Sequence, residues 1–279
     1  MSVELIETHR SFGGEQRKYR HFSQTMSVEM IFSLYLPDTS QGDAQELSLL
    51  WWLSGLTCTD DNFSQKSGFQ HYAAKNQVAV VIPDTSPRGE NVADSEAWDL
   101  GTGASFYLDA TQAPWAKHYQ MYTYLTEELP GIVYNLLEHF SGKESIMGHS
   151  MGGHGALVIG LKNPDRFESI SAFAPITNPS QVPWGQKAFT AYLGSDETSW
   201  KLWDATELIK QAERVPPILI TQGDADNFYD IQLRETAFLE AAVSHDVSYQ
   251  VESGYDHSYF TIATFIGEHI DFHSKALTK

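Results

Sequence analysis

Residues 143-KESIMGHSMGGHGALVIGLKNP-164 read as strand, tight turn and helix in immediate succession. The apolar run 143-KESIMG-148 has strand character, and 152-GGHGALVIGLKNP-164 has helical character. Between them 148-GHSMG-152 matches G-x-S-x-G, a pattern that in this strand-to-helix setting forms a nucleophile elbow. The turn is so tight that Gly148 and Gly152 must let other chain segments approach closely, while Ser150 takes a strained backbone conformation. Its hydroxyl is then lifted above the end of the sheet. The plainer alternative is a turn in which Ser150 only caps the helix that follows.

On the N-terminal side, 28-VEMIFSLYL-36 and 47-LSLLWWLSG-55 read as neighbouring strands separated by the turn-prone 37-PDTSQGD-43. A helix over 65–77, the apolar strand 78-VAVVIP-83 and a long Gly-, Asp- and Trp-bearing segment to about residue 115 follow. Tyr122, Leu125, Leu129, Ile132, Val133, Leu136, Leu137 and Phe140 recur at spacings of three and four, marking a helix that Pro130 kinks or interrupts. On the C-terminal side come a strand 168–175, an irregular Trp-rich region to about 214, a strand 216–223, a helix 232–246, a strand 247–253 and a helix 259–276. Alternating strands and helices predict an α/β domain of the α/β-hydrolase type, with a central, mostly parallel sheet covered by helices on both faces. A single domain over 1–279 is expected, with a helical insertion around 176–214, since no repeat, linker or shift of composition divides the chain.

Composition narrows the function. Of 279 residues 42% are hydrophobic and 19% charged, as in packed globular proteins. A net charge of -18 repels phosphate backbones and anionic lipid, so neither nucleic acid nor a membrane surface is an expected partner. No apolar run approaches the roughly 18 residues of a membrane span, and residues 1–10 alternate acids with apolar residues, so neither insertion nor export is expected. Cys58 is the one cysteine, which excludes an intrachain disulfide and fits a reducing, cytoplasmic setting.

A serine hydroxyl needs a histidine to take its proton and a carboxylate to orient that histidine, in the chain order Ser, acid, His for this fold. Loops at the carboxyl ends of parallel strands supply the candidates. After 216-PPILITQG-223 come Asp224, Asp226 and Asp230, and after 247-VSYQVES-253 come Asp256 and His257. Asp226 and His257 are the choices, with Asp224 the nearest competitor because spacing alone does not separate the two. His154, His245, His269 and His273 fit packing or surface roles better. The oxyanion of acyl transfer needs two backbone donors. Met151 follows the serine, and 54-SGLTCTDDN-62 supplies the second through Leu56 or Thr57, with Gly55 permitting the turn. The histidines lack HExxH spacing and a lone cysteine builds no thiolate cage, so no metal is expected; Asp60, Asp61 and Asn62 read as a loop or helix cap. No GxGxxG or P-loop pattern calls for a nucleotide, and no cofactor is expected.

Further segments carry a resemblance: 53-LSGLTCTDDNF-63, 83-PDTSPRG-89, 98-WDLGTGASFYLDAT-111, 119-YQMYTYLTEELP-130, 146-IMGHSMGGHGAL-157, 222-QGDADNF-228 and 255-YDHSYFTIATFIGEHIDFH-273. Nearly end to end, the chain resembles the S-formylglutathione hydrolases, also called the esterase D family. The resemblance implies Ser150 as nucleophile, Asp226 as acid, His257 as base and Leu56 and Met151 as oxyanion donors, favouring Asp226 over Asp224. It implies cofactor-free hydrolysis of a small-molecule thioester, S-formylglutathione, to formate and glutathione, with side activity on small carboxylic esters, and a homodimer as the family's expected assembly. Cys58 falls on the family's cysteine beside the oxyanion loop, where thiol reagents are expected to block the site by bulk; the alternative is an inert buried residue. Tyr229 departs from the family pattern, where an aliphatic residue is expected. Trp98 and Trp184 are candidate walls of a small acyl pocket, against the alternative of core packing. The rival readings are a general carboxylesterase or feruloyl-type esterase with the same triad, and a catalytically silent binding protein on the same fold.

Overall fold

The computed structural model describes residues 3–39 and 46–278. Its centre is a sheet of β1 (Val3–Ser11), β2 (Gly14–Ser23), β3 (Val28–Leu36), β4 (Leu47–Leu53), β5 (Val78–Pro83), β6 (Phe140–His149), β7 (Phe167–Phe173), β8 (Ile218–Gly223) and β9 (Val247–Glu252). The spatial order is β1-β2-β3-β5-β4-β6-β7-β8-β9. From β5 to β9 all neighbours are parallel, and β1, β2 and β3 join one edge antiparallel. The helical elements are α1 (Asp60–Lys66), α2 (Phe69–Asn76), α3 (Met121–Thr123), α4 (Leu129–Leu136), α5 (Met151–Lys162), α6 (Pro183–Leu193), α7 (Glu197–Trp200), α8 (Ala205–Ile209), α9 (Tyr229–Gln232), α10 (Thr236–Ala241) and α11 (Tyr259–Leu277).

The central strands are covered on both sides, which is why they read as unbroken apolar runs. Along β4, Leu49, Trp51 and Leu53 enter the core shared with α4 and α5, whereas Leu50 and Trp52 enter the one shared with α1, α2 and α11. This is the mostly parallel sheet between helical layers that the alternation of elements predicts.

Several boundaries differ from the sequence reading. The helix expected over 65–77 is two, because Gly68 sits at φ 68° and ends the run. The helix expected from Tyr122 to Phe140 runs unbroken from Met121 to Leu136, through α3, a π-helical turn over Tyr124–Glu128 and α4. Pro130 interrupts it only locally: the π turn, in which Leu129 N–H reaches back to Tyr124 O, lies directly ahead of the proline and accommodates its missing N–H. Leu137 and Phe140 lie beyond α4, and Phe140 opens β6, which is longer than expected. The helix expected over 232–246 shrinks to α10, since residues 233–235 are not helical and Ala242, Val243, Ser244 and His245 form a turn closed by His245 N–H to Ala242 O. The alternation of acids with apolar residues over 1–10 belongs to an edge strand, Val3–Ser11, paired with β2. Of the turn-prone 37–43, residues 40–43 lie outside the described residues. Between β7 and β8, α6, α7 and α8 occupy the span read as a helical insertion.

The register sets strand ends side by side. Leu53 pairs with Gly148, His149 with Phe173, Phe173 with Thr221, and Gly223 with Glu252. The loops after β4, β6, β8 and β9 therefore meet along one edge.

Candidate active site

Ser150 stands between β6 and α5 at φ 58°, ψ −118° and is 2% exposed. A non-glycine residue at positive φ is strained and persists because its surroundings enforce it. Those surroundings are backbone. A Cβ on Gly148 would lie 2.2 Å from Gly152 O, and one on Gly152 would lie 2.0 Å from Leu53 O. Only hydrogen fits at either position.

The loops after β8 and β9 are stitched together. Asp224 N–H donates to Glu252 O (3.1 Å) and Ala225 N–H to Tyr255 O (3.0 Å). This brings His257 Nδ1 within 2.5 Å of Asp226 Oδ2, while Asp226 Oδ1 accepts from the Phe228 N–H at 2.8 Å. Asp224 instead accepts the Gly254 N–H at 2.6 Å and braces the loop. Asp256 receives the N–H and hydroxyl of Ser258, ahead of α11.

Ser150 and His257 line one cavity of about 210 Å3 together with Gly55, Leu56, Thr57, Cys58, Trp98, His149, Trp184 and Phe228. The Thr57 N–H is engaged by Gly103 O at 2.9 Å, so of the two expected candidates, Leu56 and Thr57, it is Thr57 whose donor is already spent. Met151 is the first residue of α5, where helix N–H groups lack intrahelical partners. Arg88 braces the loop from behind: it grips Asp84 through Nε (2.8 Å) and Nη2 (3.0 Å) and donates to Cys58 O at 3.1 Å. Burial pushes the Cys58 thiol up, keeping it protonated and a weak nucleophile. Asp60, Asp61 and Asn62 start α1 under a Thr59 capping box, and among the described residues no cluster could hold a metal ion.

Trp98 and Trp184 meet edge to face at 5.7 Å, Trp184 contacts Phe228 at 4.7 Å, and Phe228 meets the His257 ring at 5.0 Å. Trp98 is 54% exposed, so it stands at the rim. Lys187 on α6 and Asp99 form an ion pair beside it.

The sequence reading did not weigh His149, Phe228 or Gln222. His149 is the second residue of the elbow motif, so adjacency alone could have flagged it. Its ring lies 4.5 Å from that of His257, and burial, reinforced by His257, holds it well below the ordinary imidazole range and therefore neutral. Phe228 and Gln222 bound the stretch 222-QGDADNF-228 that carries Asp226.

A strained serine at the N-terminus of a helix, sharing a cavity with a histidine held by a buried carboxylate, is equipment suited to acyl transfer. The family model described as "Putative esterase" matches residues 23–272. An S-formylglutathione hydrolase from Agrobacterium tumefaciens is 44% identical, with a TM-score of 0.94 over 98% of this chain and 99% of its own. The chain belongs to the esterase family that includes S-formylglutathione hydrolase. This esterase is a serine hydrolase. It also shares its fold with fluorophosphonate-binding serine hydrolase F of Staphylococcus aureus, 21% identical with a TM-score of 0.74 over 94% of this chain and 98% of that one. A ferulic acid esterase, 16% identical, gives 0.74 over 96% and 100%. Among the described residues, no helix of the esterase is long and apolar enough to cross a membrane.

Proposed function

We propose that this esterase hydrolyses S-formylglutathione to glutathione and formate, with Ser150 as nucleophile, His257 as general base and acid, and Asp226 orienting His257. The observation that carries the reading is the 44% identity, over nearly the whole of both chains, to an enzyme studied as an S-formylglutathione hydrolase. The small cavity supports it, because a formyl group asks for little space.

Ser150 Oγ attacks the formyl carbon as its proton passes to His257 Nε2. The carbonyl oxygen takes the displaced electron pair and is held by the N–H groups of Leu56 and Met151. Collapse of this adduct breaks the C–S bond, and the sulfur leaves with the proton from His257. Water, deprotonated by His257, then attacks the Ser150 formyl ester, and formate departs as Ser150 regains its proton. Trp98 and Trp184 wall the acyl side in this reading, and Cys58 lines the cavity without entering the chemistry. Its free thiol fits a reducing compartment, and on that ground we assign the enzyme to the cytoplasm.

Thiol release and formate production from S-formylglutathione, with p-nitrophenyl acetate alongside, test the proposal. The wild type should turn over the thioester faster than the aryl ester, and Ser150→Ala should lose on the order of 10^6 in kcat on both. Brisk aryl-ester turnover with slow thioester cleavage would assign a general carboxylesterase instead.

A further inference from the structure

We infer that Gln222 is a positioning residue for the carboxylate of Asp226, acting through it on His257. Gln222 is the penultimate residue of β8 and is wholly buried. Its Nε2 donates to Asp226 Oδ2 at 3.2 Å and to Gly223 O at 2.9 Å, whereas its Oε1 has no partner. The orientation of the amide is fixed by its neighbours. A carboxylate and a carbonyl both only accept, so the NH2 group must face them, and the reverse would set oxygen against two oxygens.

Asp226 Oδ2 is the oxygen that meets His257 Nδ1. The torsion at the end of an aspartate side chain is broad, so a carboxylate held by one donor can swing. Here Gln222 and His257 hold one oxygen and the Phe228 N–H holds the other, which fixes the carboxylate plane and through it the imidazole. The amide supplies two donations, to Gly223 O and to Asp226 Oδ2, at the cost of a buried Oε1 that no group meets. The donation to the carboxylate is the one that bears on His257, and an apolar side chain cannot make it.

The inference rests on the proposed roles of Ser150, His257 and Asp226. Gln222→Met keeps the length of the side chain and removes the donor. Its kcat should fall about tenfold or more on both S-formylglutathione and p-nitrophenyl acetate, with KM within about twofold. The acid limb of kcat/KM against pH should move to higher pH, because a carboxylate relieved of one donor holds the adjacent imidazolium proton more tightly. Its melting temperature should fall by no more than a few degrees, for the lost bonds to Gly223 O and Asp226, so that the enzyme stays folded under the assay conditions while kcat drops and the acid limb moves, a pair of changes that a merely structural role would not give. Gln222→Glu, which sets a second carboxyl against Asp226, should lose at least as much kcat. Wild-type kcat with an unmoved acid limb in Gln222→Met would overturn the inference, as would a kcat loss tracking a drop in melting temperature. Ser150→Ala in the same assays separates the two failures. If that variant still turns over, the triad reading fails; if it is inactive while Gln222→Met behaves as wild type, only the role of Gln222 falls.

Discussion

Two carboxylates stand two residues apart on the loop after β8, and their surroundings give them different work. Asp226 faces His257 with its side chain shielded from water, whereas Asp224 accepts the Gly254 N–H at the surface. Asp226→Asn should drop kcat by on the order of 10^4, as loss of the orienting carboxylate does in serine protease triads, by favouring the wrong imidazole tautomer. Asp224→Asn keeps an oxygen for Gly254 and should stay within about threefold of wild type in kcat. Equal losses in the two variants would mean that the loop, not the carboxylate, is what matters. Spacing in the sequence could not separate these residues, since which one meets His257 depends on how the loop is stitched to Tyr255 and Glu252. Ser150 was legible because its constraints are local: two glycines and a strand-to-helix turn within five residues. Gln222 and Phe228 were not, because their roles consist of contacts that exist only after the β8 loop has closed.

At the scale of elements, α11 carries the loop of His257 and is locked to the sheet by a buried polar chain. His269 bridges Thr221 Oγ1 (2.9 Å) and Ser171 Oγ (2.8 Å), and His273 bridges Ser171 Oγ (2.7 Å) and Ser169 Oγ (2.8 Å). The spacing of four puts both rings on one helix face, in keeping with the packing role read for them. Burial lowers both histidines, His269 well below its ordinary range and His273 to about 3. A folded-state value below the unfolded one means that the unfolded chain binds the extra proton. The stabilisation is thus complete above about pH 6.5 and is lost as pH falls from there towards 3. For His273 this amounts to ~5 kcal/mol across that window. The melting temperature should accordingly fall steeply between pH 7 and pH 4. His273→Leu, which takes one hydrogen-bond partner from each of the Ser169 and Ser171 hydroxyls and leaves them Ser145 and His269, should melt lower at pH 7 but decline less on acidification. A decline as steep as that of the wild type would show that other groups set the acid sensitivity. Among the elements, strands buried on both faces were the most legible, whereas the helix ends at Gly68, Leu136 and Ala241 depended on backbone conformation that apolar spacing does not encode.

For the whole molecule, the sheet separates a catalytic half from an antiparallel margin. The loops that carry Ser150, Asp226, His257 and Leu56 follow β6, β8, β9 and β4, all within the parallel part, while β1 and all but the last residue of β2 lie ahead of the matched span 23–272. In the sheet β1 stands five strand spacings from β6, about 24 Å. Its side chains are exposed or half-buried throughout, so it contributes little to the core. What β1 does is cover the edge of β2, whose N–H and C=O groups would otherwise invite pairing with another chain. Deleting residues 1–10 should leave kcat/KM within about twofold of the full chain, while light scattering on warming should rise with protein concentration as the bared β2 edge finds partners. A tenfold loss of kcat/KM in the unaggregated fraction would instead mean that this margin supports the catalytic edge through β3 and β5, and the division between the two halves would have to be abandoned.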